Sequence, residues 1–161
     1  MAGSAGAKGT RCAMPEEVSA IQTAAIQQEL MVAALTCNEI ARFNSFQTGF
    51  GPELRAADAT LARLFRRLYG AARGEAEYHA FKTKLANDSS MRSIRNNPAY
   101  CQEAAAMFTQ ALAPMKPALV TFVNGTAVMI ERRPVEACGV AAETVRAAET
   151  VTRHKRRRHK G

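Results

Sequence analysis

From Pro15 onward, apolar positions in this chain recur at helical spacing. Val18, Ile21, Ala25 and Ile26, then Leu30, Val32, Ala33 and Leu35, follow one another at intervals close to three and four, the period of a helix face. Pro15 suits a first helical turn, where its missing N–H costs nothing. Glu16 and Glu17 suit the positive end of the helix dipole. A first helix is predicted to about Leu35. Thr36-Cys37-Asn38-Glu39 has the Thr-x-x-Glu form of a capping box. It predicts a second helix after a slight break, with Ile40, Phe43, Phe46 and Phe50 on its apolar face. Gly49-Phe50-Gly51-Pro52 is a breaker. Beyond it Leu54, Ala57, Leu61, Leu64, Phe65 and Leu68 form the clearest amphipathic stripe in the chain. Gly70 is placed to cap that third helix.

A fourth helix is predicted from Gly74 to about Asn87, with Tyr78, Phe81 and Leu85 inward. Asp88-Ser89-Ser90 reads as a stop or a new N-cap, and Ser90 to Arg95 as a short turn. A fifth helix runs from about Pro98 to Leu112 and carries Cys101, Ala105, Phe108 and Leu112. After Pro114 and Pro117 the pattern changes. Leu119–Val123 and Thr126–Ile130 flank Asn124-Gly125, the strongest short-range hairpin signal. The alternative is a helix broken at Asn124-Gly125. Residues 141–145 and 147–151 both read Ala-Ala-Glu-Thr-Val. Their period of six fits no solenoid and suits a marginal helix or a linker. The expected organisation is a flexible lead (1–13), a helical domain (14–139), and a linker with a disordered basic tail (140–161). The fold class is all-α, a four- or five-helix bundle stapled by two disulfides, with a short C-terminal β-hairpin.

Composition changes this picture little. The 161 residues are 47% hydrophobic and 22% charged, which excludes collagen-like, low-complexity and wholly disordered chains. No apolar run approaches the ~20 residues that cross a bilayer. The charge is more informative. Lys plus Arg number 22 against 14 acids, a net +8. Six of those bases, Arg153, Lys155, Arg156, Arg157, Arg158 and Lys160, lie in one acid-free segment. Without it the chain is nearly neutral, so basicity is a property of the tail. Such a run suits DNA, RNA, anionic lipid or an acidic protein through counterion release. The plainer reading is a solvated tail that aids solubility.

Cys12, Cys37, Cys101 and Cys138 form no CxxC pair. Their even number and wide spacing suit two disulfides in an oxidising compartment. Four cysteines allow three connectivities. The nested pairing of Cys37 with Cys101 and Cys12 with Cys138 is favoured by position: the inner bridge ties two helices, and the outer clamps the ends of the folded body. Four buried thiols in a cytosolic protein, or one zinc held by four thiolates, are the alternatives. Met1 to Arg11 contains no apolar signal core. Export therefore requires a signal ahead of this numbering, and the other compartment is the cytoplasm.

Three stretches carry a resemblance: Ala33-Ala34-Leu35-Thr36-Cys37-Asn38-Glu39-Ile40-Ala41-Arg42-Phe43-Asn44; Leu68-Tyr69-Gly70 through His79 to Leu85-Ala86-Asn87; and Cys101. Together they resemble small, uncharacterised, mostly helical proteins of alphaproteobacteria that carry an export signal. The resemblance covers about residues 30–102. It implies export and a Cys37–Cys101 disulfide. It implies no activity, and the basic tail is not part of it.

Candidate chemistry is sparse. Glu75 and His79 share a helix face at the spacing of two metal ligands, but no third ligand is placed by the sequence, so an exposed Glu–His pair is the plainer reading. A cysteine with His79 would suit a thiol nucleophile only if that cysteine were free. Arg63, Arg66 and Arg67 would make a basic helix face for an anion, or simply a solvated one. Asn124-Gly125-Thr126 matches a glycosylation sequon. No phosphate loop, nucleophile elbow, HExxH or calcium loop occurs. The sequence therefore predicts no enzyme, no cofactor and no metal site. It predicts an exported, non-enzymatic helical protein, periplasmic or secreted. Its partner is a protein or another envelope component, and its tail meets an anionic polymer or lipid. The alternative is a cytoplasmic, nucleic-acid-associated protein held through the tail.

Overall fold

A computed structural model describes residues 11–139. The expectations for residues 1–10 and 140–161, including the duplicated pentapeptide and the basic segment, lie outside the described residues. Within them the chain forms six helices: α1 Pro15–Thr36, α2 Ile40–Gly49, α3 Gly51–Tyr69, α4 Ala71–Arg95, α5 Asn97–Ala111 and α6 Leu119–Asn124.

The first helix is the pillar of the fold. The Glu17 carboxylate reaches back to accept the Met14 N–H at 3.0 Å, which satisfies one orphan donor of the first turn. Further along, Ile21, Ile26, Leu30 and Ala33 are all but fully buried. Burial is not confined to one stripe, because all five other helices pack on α1. A helix covered on most sides needs apolar residues on most sides. Its first half joins α3 and α4 in one core of Ile21, Leu61, Leu64, Phe65 and Leu85. Its second half joins α2, α5 and α6 in another, built on Leu30, Phe46, Phe50, Phe108 and Phe122. The stripe on α3 behaves as its spacing predicts, with Leu54, Leu61, Leu64 and Phe65 buried.

Both disulfides are formed, Cys37–Cys101 and Cys12–Cys138. The inner one ties the end of α1 to α5. The outer one closes the two ends of the described chain. Beside it Ala13 and Ala137 make a parallel bridge: the Ala13 N–H donates to the Glu136 carbonyl at 2.8 Å, and the Cys138 N–H donates to the Ala13 carbonyl at 3.0 Å. Cys12 and Ala13, read from sequence as the end of a flexible lead, are thus pinned, and Ala13 is buried.

Four local expectations are corrected. The predicted C-terminal hairpin does not form. Leu119–Val123 lies in α6, which ends at Asn124-Gly125, so the broken-helix alternative holds. Leu119, Phe122 and Val123 fall at i, i+3 and i+4 and bury one helical face. The Glu53 carboxylate of α3 accepts the Leu119 N–H at 2.9 Å, an N-terminal cap supplied from another helix. Neither Asn124 nor Gly125 takes the positive φ that a tight hairpin turn demands.

The capping box at Thr36 does not form either. Thr36 stays in α1, and its hydroxyl donates to the Val32 carbonyl at 3.0 Å. The break falls at Asn38, which takes φ 59°. Glu39 instead grips Arg42, with both hydrogen bonds at 2.6 Å. Arg42 lies 5.3 Å from the centre of the Phe108 ring, which joins α2 to α5.

Asp88-Ser89-Ser90 does not stop α4, which runs through to Arg95. Gly74 does not start it either. It lies inside α4, where it permits a close approach to α3. The start is Gly70, at φ 85°, a left-handed turn that favours glycine.

Candidate functional site

A cleft of about 350 Å³ opens where α1, α2, α3 and α4 meet. Gln27 comes from α1, Gln47 from α2, Leu54, Arg55 and Asp58 from α3, and Lys82 from α4. Tyr78 and Lys82 sit one turn apart on α4, so both side chains reach the same point on α3. The Tyr78 hydroxyl donates to Asp58 Oδ1 at 2.6 Å, and Lys82 Nζ donates to the same oxygen at 3.0 Å. Lys82 also donates to the Tyr78 hydroxyl at 3.1 Å. Across the cleft, Gln27 Nε2 donates to Gln47 Oε1 at 2.9 Å. Arg55 makes no hydrogen bond or ion pair among the described residues.

Titration sets what this cluster can do. Burial, then the hydrogen bond to Asp58, raises the Tyr78 phenol above its ordinary value. Burial opposes the charge on Lys82. Its hydrogen bonds to Tyr78 and Asp58 and the charge of Asp58 outweigh that and hold the ammonium above its ordinary range. At neutral pH the phenol is protonated and the ammonium is charged. Neither is tuned toward neutrality as a general acid or base would be. The cleft offers fixed charges and hydrogen-bonding groups, which suit recognition.

A second polar cluster is interior. Glu29 of α1 is 4% exposed and Ser89 of α4 1%. Glu29 Oε2 accepts from Ser89 Oγ at 2.9 Å and from the Arg92 guanidinium. The Tyr100 hydroxyl of α5 donates to the Glu29 carbonyl at 3.0 Å and lies 2.6 Å from Ser89 Oγ. Burial is the main reason that the Tyr100 phenol is pushed up to about 12. This network joins three helices in the interior and fixes their packing.

The sequence candidates are placed as follows. His79 Nε2 lies 3.9 Å from Glu75 Oε1, with both side chains well exposed. Arg66 and Tyr78 share with them a second cleft, of about 490 Å³. No group of three or more His, Cys, Asp or Glu among the described residues is arranged to hold a metal ion. Arg63 and Arg67 are drawn to different neighbours: Arg63 donates to Thr60 Oγ1 at 3.1 Å, and Arg67 to Glu17 Oε1 at 2.7 Å and the Cys12 carbonyl at 3.0 Å. None of the four cysteines is free, so the thiol-nucleophile and four-thiolate zinc alternatives lose their ligand atoms. In the sequon, Asn124 Oδ1 accepts from Ser19 Oγ at 3.1 Å. The polyanion-binding residues Arg153, Lys155, Arg156, Arg157, Arg158 and Lys160 lie outside the described residues.

The cleft was not foreseen from sequence. Nothing in the sequence marks Asp58, Lys82, Gln27 or Gln47, and its periodicity gives Tyr78 only as an inward residue. The one signal present was the i, i+4 pairing of Tyr78 with Lys82. No helix among the described residues is long and apolar enough to cross a membrane, and the two disulfides indicate a non-reducing compartment. No family model matches the chain, and no curated protein or solved structure matches it.

Proposed function

We propose that this is an exported, non-enzymatic binding protein, periplasmic or secreted. Its helical body is a stapled scaffold, and its basic segment at residues 153–160 contacts an anionic polymer or lipid of the envelope. The observation that carries the reading is the closed Cys12–Cys138 bridge together with Cys37–Cys101. Bridges that span 126 and 64 residues persist where thiols are oxidised. The outer bridge also fixes the point from which the chain continues toward Arg153. The resemblance to exported helical proteins supports the same compartment. A cleft whose phenol and ammonium are both raised in pKa, rather than poised near neutrality, supports binding over catalysis.

Two measurements test this. Native protein is alkylated without reductant, weighed intact and peptide-mapped. Complete protection, with Cys37 linked to Cys101, is expected. Four alkylated thiols would place the protein in a reducing compartment and overturn export. Retention on an immobilised polyanion is then compared with and without residues 153–161. A large loss that grows weaker with salt is expected, and unchanged retention overturns the role of the segment.

A further inference from the structure

The cleft between α1 and α4 presents unused hydrogen-bonding capacity of both signs, and its arrangement names a ligand. On the donor side, Arg55 is uncommitted among the described residues. The Lys82 ammonium has three N–H groups and spends two, on Asp58 and Tyr78. The Gln47 amide serves as an acceptor through Oε1, and its NH₂ donates to no described residue. On the acceptor side, Asp58 Oδ1 takes both Tyr78 and Lys82, which leaves Oδ2 open. Gln27 donates through Nε2, which leaves its carbonyl oxygen open. Cationic and amide donors thus stand beside a carboxylate oxygen and an amide oxygen in one cleft, and Leu54 and Ala59 supply its apolar wall. Asp58 and Lys82 are 42% and 30% exposed at their side chains, so the free positions are open to solvent and to a ligand.

We propose that this cleft binds a free aliphatic α-amino acid as the zwitterion. The ligand carboxylate meets the Arg55 guanidinium and the spare donors of Lys82 and Gln47. The ligand ammonium meets Asp58 Oδ2 and the Gln27 carbonyl. The aliphatic side chain lies on Leu54 and Ala59. A simple anion would leave the Asp58 and Gln27 oxygens without donors, and a simple cation would leave Arg55 without an acceptor. A zwitterion uses both sets at once, and each charge-assisted contact adds to its affinity over an ion of one sign. The volume of about 350 Å³ accommodates a small or medium side chain. The inference rests on the reading of the body as a binding scaffold and is independent of the basic segment.

The test is calorimetric titration of the full chain, disulfides intact, with L-leucine and L-alanine. Controls are N-acetyl-L-leucine, which lacks the ammonium, L-leucinamide, which lacks the carboxylate, and glucuronate, a hydroxylated anion. Saturable binding of L-leucine or L-alanine is expected, with each control weaker by about tenfold or more, the loss of one charge-assisted contact. Arg55→Ala removes an exposed side chain with no described partner, so the fold is unaffected, and affinity is expected to fall about tenfold. Asp58→Asn is expected to weaken L-leucine by a similar factor without improving N-acetyl-L-leucine, its fold checked by circular dichroism. No binding of either amino acid at millimolar concentration, or equal binding of N-acetyl-L-leucine or glucuronate, overturns the proposal. The form lacking residues 153–161 is expected to bind L-leucine unchanged while losing polyanion retention. The two readings therefore fail separately.

Discussion

A Cβ placed on Gly74 would lie 2.7 Å from the carbonyl oxygen of Phe65 and 2.8 Å from the Arg66 Cα. Both atoms are backbone, so neither can swing aside. Gly74→Ala must push α3 and α4 apart at this contact. Overpacking of this kind costs about 1–3 kcal/mol, which exceeds the helix-propensity gain of ~1 kcal/mol for alanine over glycine. Gly49→Ala is the internal control, because its Cβ meets only the flexible end of Lys116, at 3.9 Å. Thermal melts are expected to show a lower Tm for Gly74→Ala and an equal or higher one for Gly49→Ala. An unchanged melt for Gly74→Ala would mean that the helices do not touch there.

Glu29 holds an interior charge network together. Its carboxylate is 6% exposed and accepts from Arg92 and Ser89 in the interior. Cutting such a pair on one side strands a charge. Glu29→Ala is expected to cost about 3–5 kcal/mol in urea unfolding. Replacing both partners together, as Glu29→Leu with Arg92→Met, is expected to cost much less, because no charge is left unpaired. Equal losses for the single and the double variant would show that packing volume, not charge, sets the energy of this network.

The same network explains where sequence reading stops. The stripe of Leu54, Leu61, Leu64 and Phe65 was legible, because α3 buries one face and leaves the other wet. The cysteine pairing was legible from position, because nested bridges clamp a body at its ends and across its middle. Asp88-Ser89-Ser90 reads as a stop or a new N-cap because serine and aspartate favour caps when only local partners are in view. The partner that keeps Ser89 helical is Glu29, sixty residues away. The β-branched residues of Leu119–Val123 leave a hairpin strand and a broken helix both open. What makes the segment helical is the buried face of Leu119, Phe122 and Val123 and a cap from Glu53. The cleft was illegible for the same reason. Asp58, Lys82, Gln27 and Gln47 come from four helices, and only packing sets them together.

Tyr100 carries a pH signature. Its phenol is pushed up to about 12, chiefly by burial, whereas an unfolded tyrosine titrates near 10. The neutral form is favoured in the fold. The associated stability is fully present below pH ~10 and is lost as pH rises through ~12. Absorbance titration of the phenolates tests this directly. The native protein is expected to show a tyrosine ionising near pH 12, and Tyr100→Phe is expected to lack it. Tyr78 is also raised and remains in that variant, so the outcome that counts against Tyr100 is an unchanged number of phenols ionising near pH 12.

The two disulfides should differ in what their loss does. By loop length alone each is worth about 4–5 kcal/mol, with the longer loop slightly ahead. The native contacts beside them are unequal. Cys37–Cys101 joins α1 to α5 with Phe43, Met107 and Leu112 packed on the same core, so its removal leaves two helices that still pack. Cys12–Cys138 closes chain ends that are otherwise held by the Ala13–Ala137 bridge, Arg67 and the packing of Ala13, Ile130 and Val135. Cys12→Ser with Cys138→Ser is therefore expected to let residues 11–14 and 131–139 open locally before the helices unfold. Hydrogen exchange should report this as lost protection at the Ala13 and Cys138 amides, with the α1 interior still protected. Cys37→Ala with Cys101→Ala is expected instead to lower the global transition, by up to about 4 kcal/mol, without selective opening of the ends. The same exchange pattern in both pairs of variants would show that the outer bridge stabilises the whole helical body and not just its two ends.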